Sequence, residues 1–235
     1  MEPHRHNAAT IRGISSMATR HVLTELTGNF QAQSGQPVAI ESVGGVDAAR
    51  RVSHGEPFDF VALASDAIDK LAAAGHLDAS TRVDVARSGV AIAIKAGTPR
   101  PDATSENGVR DAVLAARSIG YSTGPSGAHL TRLFERWGIA GTIAPRIVQA
   151  QPGVPVATLI ARGEVELGFQ QLSELVNMPG IDIVGPLPDG IQLLTVFSAA
   201  LTHTSQHADA ARAFLAFLAS TDTAAVKLRH GMEPA

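Results

Sequence analysis

Hydrophobic and polar positions along the first third of the chain switch repeatedly between two periods. TIRGIS (10–15), PVAIES (37–42) and FDFVALA (58–64) alternate or run briefly apolar, as short strands do. Between and after them, HVLTELTGNFQAQSG (21–35), VDAARRVSHG (46–55) and AIDKLAAAG (67–75) space their apolar residues at helical intervals. Each helical run ends on a glycine, Gly35, Gly55 or Gly75, where a left-handed C-cap is easily adopted. This βαβαβα order predicts a parallel sheet with helices on both faces.

The alternation then restarts. A long strand, SGVAIAIK (88–95), leads through the proline-rich turn AGTPRPDAT to a helix at 106–116. Strand SIGYS, helix 127–137, strand IAPRIVQ, helix VPVATLIARGE and strand LGFQQ follow. A further strand, TVFSAALT (195–202), precedes two terminal helices, HADAARAFLAFLAS and DTAAVKLRHG. If 88–95 and 195–202 both cross between lobes, the chain divides into residues 10–88 plus 200–235 and residues 89–199, with 1–9 as a flexible lead-in. Two lobes imply a cleft, and clefts are favoured ligand sites.

Composition narrows the partners. A net charge of −3 with no basic run, and 4% aromatic residues, argue against nucleic acid. The longest apolar stretch, SGVAIAIKAG, is interrupted by Lys95 and falls short of the roughly 20 residues that span a bilayer, so no membrane insertion is expected. The absence of cysteine removes disulfides, thiolate catalysis and cysteine-ligated metal. His4 and His6 in the polar start MEPHRHNAAT are too few to organise a metal site, and no metal or cofactor is expected. That start reads as an exported, periplasmic chain without its signal segment; a cytoplasmic start is the other reading.

The stretch YSTGPSGAHLTRLF (121–134) carries the candidate chemistry: a polar loop opens directly into a helix. Unpartnered N–H groups at a helix start, beside the hydroxyls of Ser122, Thr123 and Ser126, suit an anion. Ser126 as an ordinary N-cap is the competing reading. The segment fits neither a Walker lysine loop nor a dinucleotide fingerprint.

ISSMATR, SGQPVAIESVGG, EPFDFVALASDAIDKLAAAGHL, STGPSGAHLTRLFERWGI and VATLIARGEVELGFQQLSEL, in that order and spacing, resemble the molybdate-binding-protein family of bacterial extracellular solute-binding proteins. The resemblance runs from Thr10 to Pro234. It implies a two-lobe α/β type II periplasmic-binding-protein fold, each lobe a mainly parallel sheet flanked by helices, joined by two crossing strands. It also implies an oxyanion shell of neutral donors: Ser15, Ser16 and Met17 in the loop that ends at Ala18, Gly44 and Gly45 in the loop that begins at Ser42, Ser126 with Gly127, the helix start at Val154, and Gln171.

Three family donors are altered, falling here on Ala18, Gly44 and Gln171, which points from molybdate toward an organic carboxylate. Gln170 and Gln171 offer amide donors and acceptors suited to such a ligand, and strand alternation allows only one of them to face it. Arg20, Arg50 and Arg51 follow the first two loops, and His21 and His129 lie near helix starts, where an imidazole could move a proton.

The resemblance leaves two functions open. One is a monomeric binding protein that closes on a small anion and delivers it to an ABC-type permease. The other is an isomerase on the same scaffold, since the family neighbourhood includes proteins resembling aconitate isomerases and YSTGPSGAHLTRLF and GFQQLSEL look like theirs too. A titratable group among the ligand donors would favour the second.

Overall fold

The computed structural model describes residues 8–151 and 153–235; His4 and His6 lie outside the described residues. The chain forms two compact units. The first takes in the described residues up to Ala86, Val196–Arg229 and Pro234–Ala235; the second takes in Arg87–Thr195 and His230–Glu233.

In chain order the first unit begins with β1 (Ile11–Ser16), a 3₁₀ turn at Met17–Thr19, α1 (Arg20–Ser34), β2 (Val38–Val43), α2 (Gly45–Ser53), β3 (Phe60–Ala64) and α3 (Ser65–Ala73). β4 (Val83–Lys95) carries the chain into the second unit: α4 (Glu106–Ala115), β5 (Ile119–Tyr121), α5 (Pro125–Arg136), α6 (Ala140–Ile143), β6 (Ile147–Gln149), α7 (Val156–Arg162), β7 (Leu167–Gln171), α8 (Leu172–Leu175) and β8 (Ile181–Pro186). β9 (Leu194–Leu201) brings it back to α9 (Ala208–Ala219) and α10 (Ala224–Arg229).

In the first unit β1 lies between β2 and β3, parallel to both, and β9 closes the far side of β3 antiparallel to it. In the second, β5 is parallel to β6 and β7, while β4 runs antiparallel to β7 and to β8. Strand alternation divides the second core. Val90, Ile92 and Ile94 of β4 join Phe169, Phe134 and Leu130 on one face, whereas Ala91 and Ala93 join Val156 and Ile160 on the other. In the first unit Ile14, Val61 and Leu63 pack with Ala48, Val52 and Ile68, and Phe30, Phe60, Phe214 and Phe217 make an aromatic cluster with centroids 5.1 to 5.4 Å apart. Truncating a buried ring such as Phe214 typically costs about 3 to 5 kcal/mol.

The predicted glycine stops hold: Gly35, Gly55 and Gly75 have φ of 71°, 76° and 79°. The segment 143–149, predicted as one strand, is instead the end of α6, a 3₁₀ turn at Ala144–Arg146 and a three-residue β6, because Pro145 has no N–H to give a ladder. The helix expected from Val154 begins two residues later.

Candidate anion site and its charged surroundings

The parallel register places Ser15 beside Ser42 and Ser16 beside Val43, at the carboxyl ends of β1 and β2. Both strands run straight into helical segments, β1 into the turn at Met17–Thr19 and β2, through Gly44, into α2. Ser15 is fully buried, and its hydroxyl is tied to Ser42 Oγ at 2.8 Å. Ser16 differs: it is buried, it caps nothing, and its Oγ has no hydrogen-bond partner. Gly45, the first residue of α2, stands against it, with 3.7 Å between the Ser16 Cβ and the place a Cβ would occupy on the glycine. Neither α1 nor α2 has a side-chain cap on its N-terminus. Met17 is half-buried in the 3₁₀ turn and Ala18 is buried.

In the second unit the helix start that drew attention in the sequence is α5. Its N-cap is Gly124, Pro125 is the first helical residue, and no side chain caps it. Ser126 is therefore not the N-cap. It is the second residue of the helix, 1% exposed, and its hydroxyl has no partner among the described residues. Gly127 is required by close approach, since a Cβ there would sit 1.7 Å from the Ser122 carbonyl oxygen. By contrast α4 is capped conventionally, with Ser105 Oγ accepting from Gly108 N at 3.1 Å.

Val154 is not a helix start: its N–H donates to the Gln151 carbonyl at 2.9 Å. The first N–H of α7, from Val156, donates to Gln170 Oε1 at 3.0 Å. Gln170 Nε2 in turn donates to Glu174 Oε2 at 2.6 Å, so both ends of that buried amide are engaged. Gln171, on the opposite face of β7, donates from Nε2 to Thr195 Oγ1 at 2.8 Å and leaves its Oε1 buried without a partner. Five buried side-chain oxygens among the described residues lack partners, and three of them, Ser16 Oγ, Gln171 Oε1 and Ser173 Oγ, sit at or just beyond the carboxyl ends of β1 and β7. Unsatisfied buried polar atoms are costly and rare, so in each unit the strand end that carries them is suited to a ligand or ordered water.

The candidate cations and imidazoles sort clearly. Arg50 pairs with Asp47, and Arg51 is clamped between Glu41 and Glu56. Arg20, first residue of α1, is exposed and has no side-chain partner among the described residues. His129 hydrogen-bonds through Nε2 to the Ile191 carbonyl at 2.8 Å, which commits that nitrogen as a donor and withdraws it from proton transfer. His21 is exposed on the first turn of α1.

Two titratable groups escaped the sequence reading. Glu174 is half-buried, and burial pushes its carboxyl up to about 7, with the Gln170 hydrogen bond opposing. Lys227, on α10, is 1% exposed with no acidic partner among the described residues, and burial lowers its pKa. The available signal was slight: an acid four residues after Gln170, and a lysine within an otherwise apolar turn. An open depression lined by Arg12, Gly13, Ala39, Ile40, Glu41 and Phe58 lies upstream of Ser15 and Ser42 and takes in none of these groups.

Uncapped helix starts at strand ends and neutral hydroxyls recur in both α/β units, an arrangement that suits anions. The chain belongs to the bacterial extracellular solute-binding protein family, whose model matches residues 11–233. It is 37% identical over 231 residues to an aconitate isomerase from a Pseudomonas species, an alignment covering 96% of this chain and 88% of that protein. Its fold is that of the type II periplasmic binding proteins. The periplasmic molybdate-binding protein of Azotobacter vinelandii superposes with a TM-score of 0.81 at 21% identity, covering 94% of this chain and 98% of that one. The sulfate-binding protein SubI of Mycobacterium tuberculosis gives 0.76 at 16% identity, covering 97% and 87%.

Proposed function

We propose that this protein binds a small organic polycarboxylate through neutral donors and isomerises it by an allylic proton shift, as an aconitate isomerase does. The observation that carries the reading is the likeness to an aconitate isomerase at 37% identity across nearly the whole of this chain. The site chemistry supports it. In the second unit Ser126 and the N-terminus of α5 supply uncharged donors, and Gln171 keeps a buried Oε1 without a partner among the described residues; in the first unit Ser16 offers a further hydroxyl. An amide can accept as well as donate, which suits a large acid with several oxygens more than a compact dianion. The test is direct: purified protein mixed with cis- or trans-aconitate should change the ultraviolet absorbance until the two isomers equilibrate.

Membership of the extracellular solute-binding family favours a second reading, in which the same site holds a carboxylate for delivery to an ABC-type transporter. Aconitate that raises the melting temperature without any change in isomer ratio would select this reading.

A further inference from the structure

Glu174 serves no purpose in anion binding as described so far. We infer that it is the acid/base of the site, a carboxyl set at the carboxyl end of β7 that takes a proton from one carbon of the bound acid and returns it to another; this rests on the isomerase reading above. Several structural facts point there. Glu174 lies on α8, which leaves β7 immediately after Gln171. β5 and β7 are parallel neighbours, so α8 and the Ser122–Ser126 loop leave the same end of the sheet. One carboxylate oxygen, Oε2, is fixed by Gln170, itself anchored on Val156 N, while Oε1 has no hydrogen-bond partner among the described residues. The residue is half-buried, sheltered but open to a ligand.

Two buried oxygens without partners among the described residues lie close by in sequence, Ser173 Oγ next to it and Gln171 Oε1 three residues before. The competing imidazole, His129, spends Nε2 on a backbone carbonyl. A base for this task works best with a pKa near the operating pH, and burial brings Glu174 to about 7. No charged group contributes to that shift. Arg87 and Glu233, on the strand and terminal segment beside Ser88 and Gly231 that contact α8, are 3.7 Å apart and pair with each other.

The step balances without a cofactor. The ionised Glu174 removes a proton from the methylene carbon of the unsaturated acid, and the C–H electron pair delocalises over the allylic carbons and their carboxylates. The protonated Glu174 then gives its proton to the former vinylic carbon, the double bond moves by one position, and the carboxylate is regenerated. A fixed carboxyl reaching both carbons from one face needs no second base.

The test compares wild type with Glu174→Gln and Glu174→Asp, using cis- and trans-aconitate. Glutamine keeps an acceptor for Gln170 and cannot ionise, so E174Q should fold. It should keep the aconitate-induced melting shift, and lose at least about 100-fold in turnover and in exchange of allylic hydrogen with D₂O. Wild-type kcat should fall on the acid side with an inflection near 7, where the base becomes protonated. E174Q turnover within about threefold of wild type overturns the inference and leaves the isomerase reading standing. Wild type that binds aconitate but neither isomerises nor exchanges it overturns both. Should E174Q fail to fold, E174D decides: slower turnover with a displaced acid limb supports the role, and a profile identical to wild type overturns it.

Discussion

At the residue scale, the difference between a cap and a ligand donor turns on which atom a hydroxyl reaches. In STGPSG the serine draws the eye as an N-cap, but Pro125, favoured at the first helical position, and Gly124 before it make Ser126 the second helical residue. Because Ser126 caps nothing, Ser126→Ala should leave the melting temperature of the free protein nearly unchanged. Affinity for the carboxylate should fall roughly 10- to 150-fold, the worth of about 1.5 to 3 kcal/mol for a neutral donor to a charged acceptor. Calorimetry and thermal unfolding on one variant check both halves. Lys227 is the opposite case, a charge whose burial no local pattern announces. Its pKa is depressed by burial, so the ammonium weakens the fold at every pH below the unfolded value, and that penalty disappears as pH rises past about 10.4. Lys227→Met should therefore stabilise the protein at pH 7 by about 1 to 4 kcal/mol, with the gain shrinking toward pH 10, as denaturant titrations at the two pH values would show.

At the element scale, periodicity located the helices and strands that are amphipathic or wholly apolar, and missed those that are neither. LGFQQ is a strand at its predicted residues, 167–171, since every position is buried. β8 was not seen, because IDIVGP is partly exposed along its length, has no clean alternation, and pairs with β4 across a register shift at Ile92/Ala93. The start of α5 carries the most exacting local constraint. Any Cβ at position 127 would overlap the Ser122 carbonyl, so Gly127→Ala must displace the loop that presents Ser126. It should cost at least about 1 to 3 kcal/mol, the range for overpacking, and weaken carboxylate binding more than Ser126→Ala does. Circular dichroism melts and a parallel binding titration would expose the contrary result, a stable variant with intact affinity. Asp59 plays a purely structural part by comparison. Its carboxylate accepts from Arg12 N at 2.8 Å, Ser205 Oγ at 2.9 Å, Gln206 N at 3.0 Å and His207 N at 3.1 Å, stitching β1 and the start of α9 to the entry of β3.

At the scale of the whole molecule, the order of elements and a handful of phrases were enough to indicate the family, because the alternation and its restart repeat over the full chain. The ligand was not legible in the same way, since selectivity resides in donor positions fixed by tertiary contacts. Ser15, expected as a donor, is spent on Ser42; Val154 lies outside the helix it was thought to begin; and Gln170 is consumed by Val156 and Glu174. Among the described residues, the candidate donors and acceptors left unpaired are Ser16 Oγ in the first unit and the Ser126 hydroxyl, Gln171 Oε1 and Ser173 Oγ in the second. A tetrahedral dianion needs short, convergent donors all around it. A longer acid with carboxylates at separate ends can satisfy sparse donors one end at a time. A thermal-shift series with molybdate, tungstate, sulfate, phosphate, citrate and the two aconitates should accordingly rank the tricarboxylates first. A ligand at 100 times its dissociation constant contributes about 2.7 kcal/mol, enough to move the unfolding midpoint measurably. Molybdate should give little or no shift, and submicromolar molybdate binding by calorimetry would overturn the preference for a carboxylate.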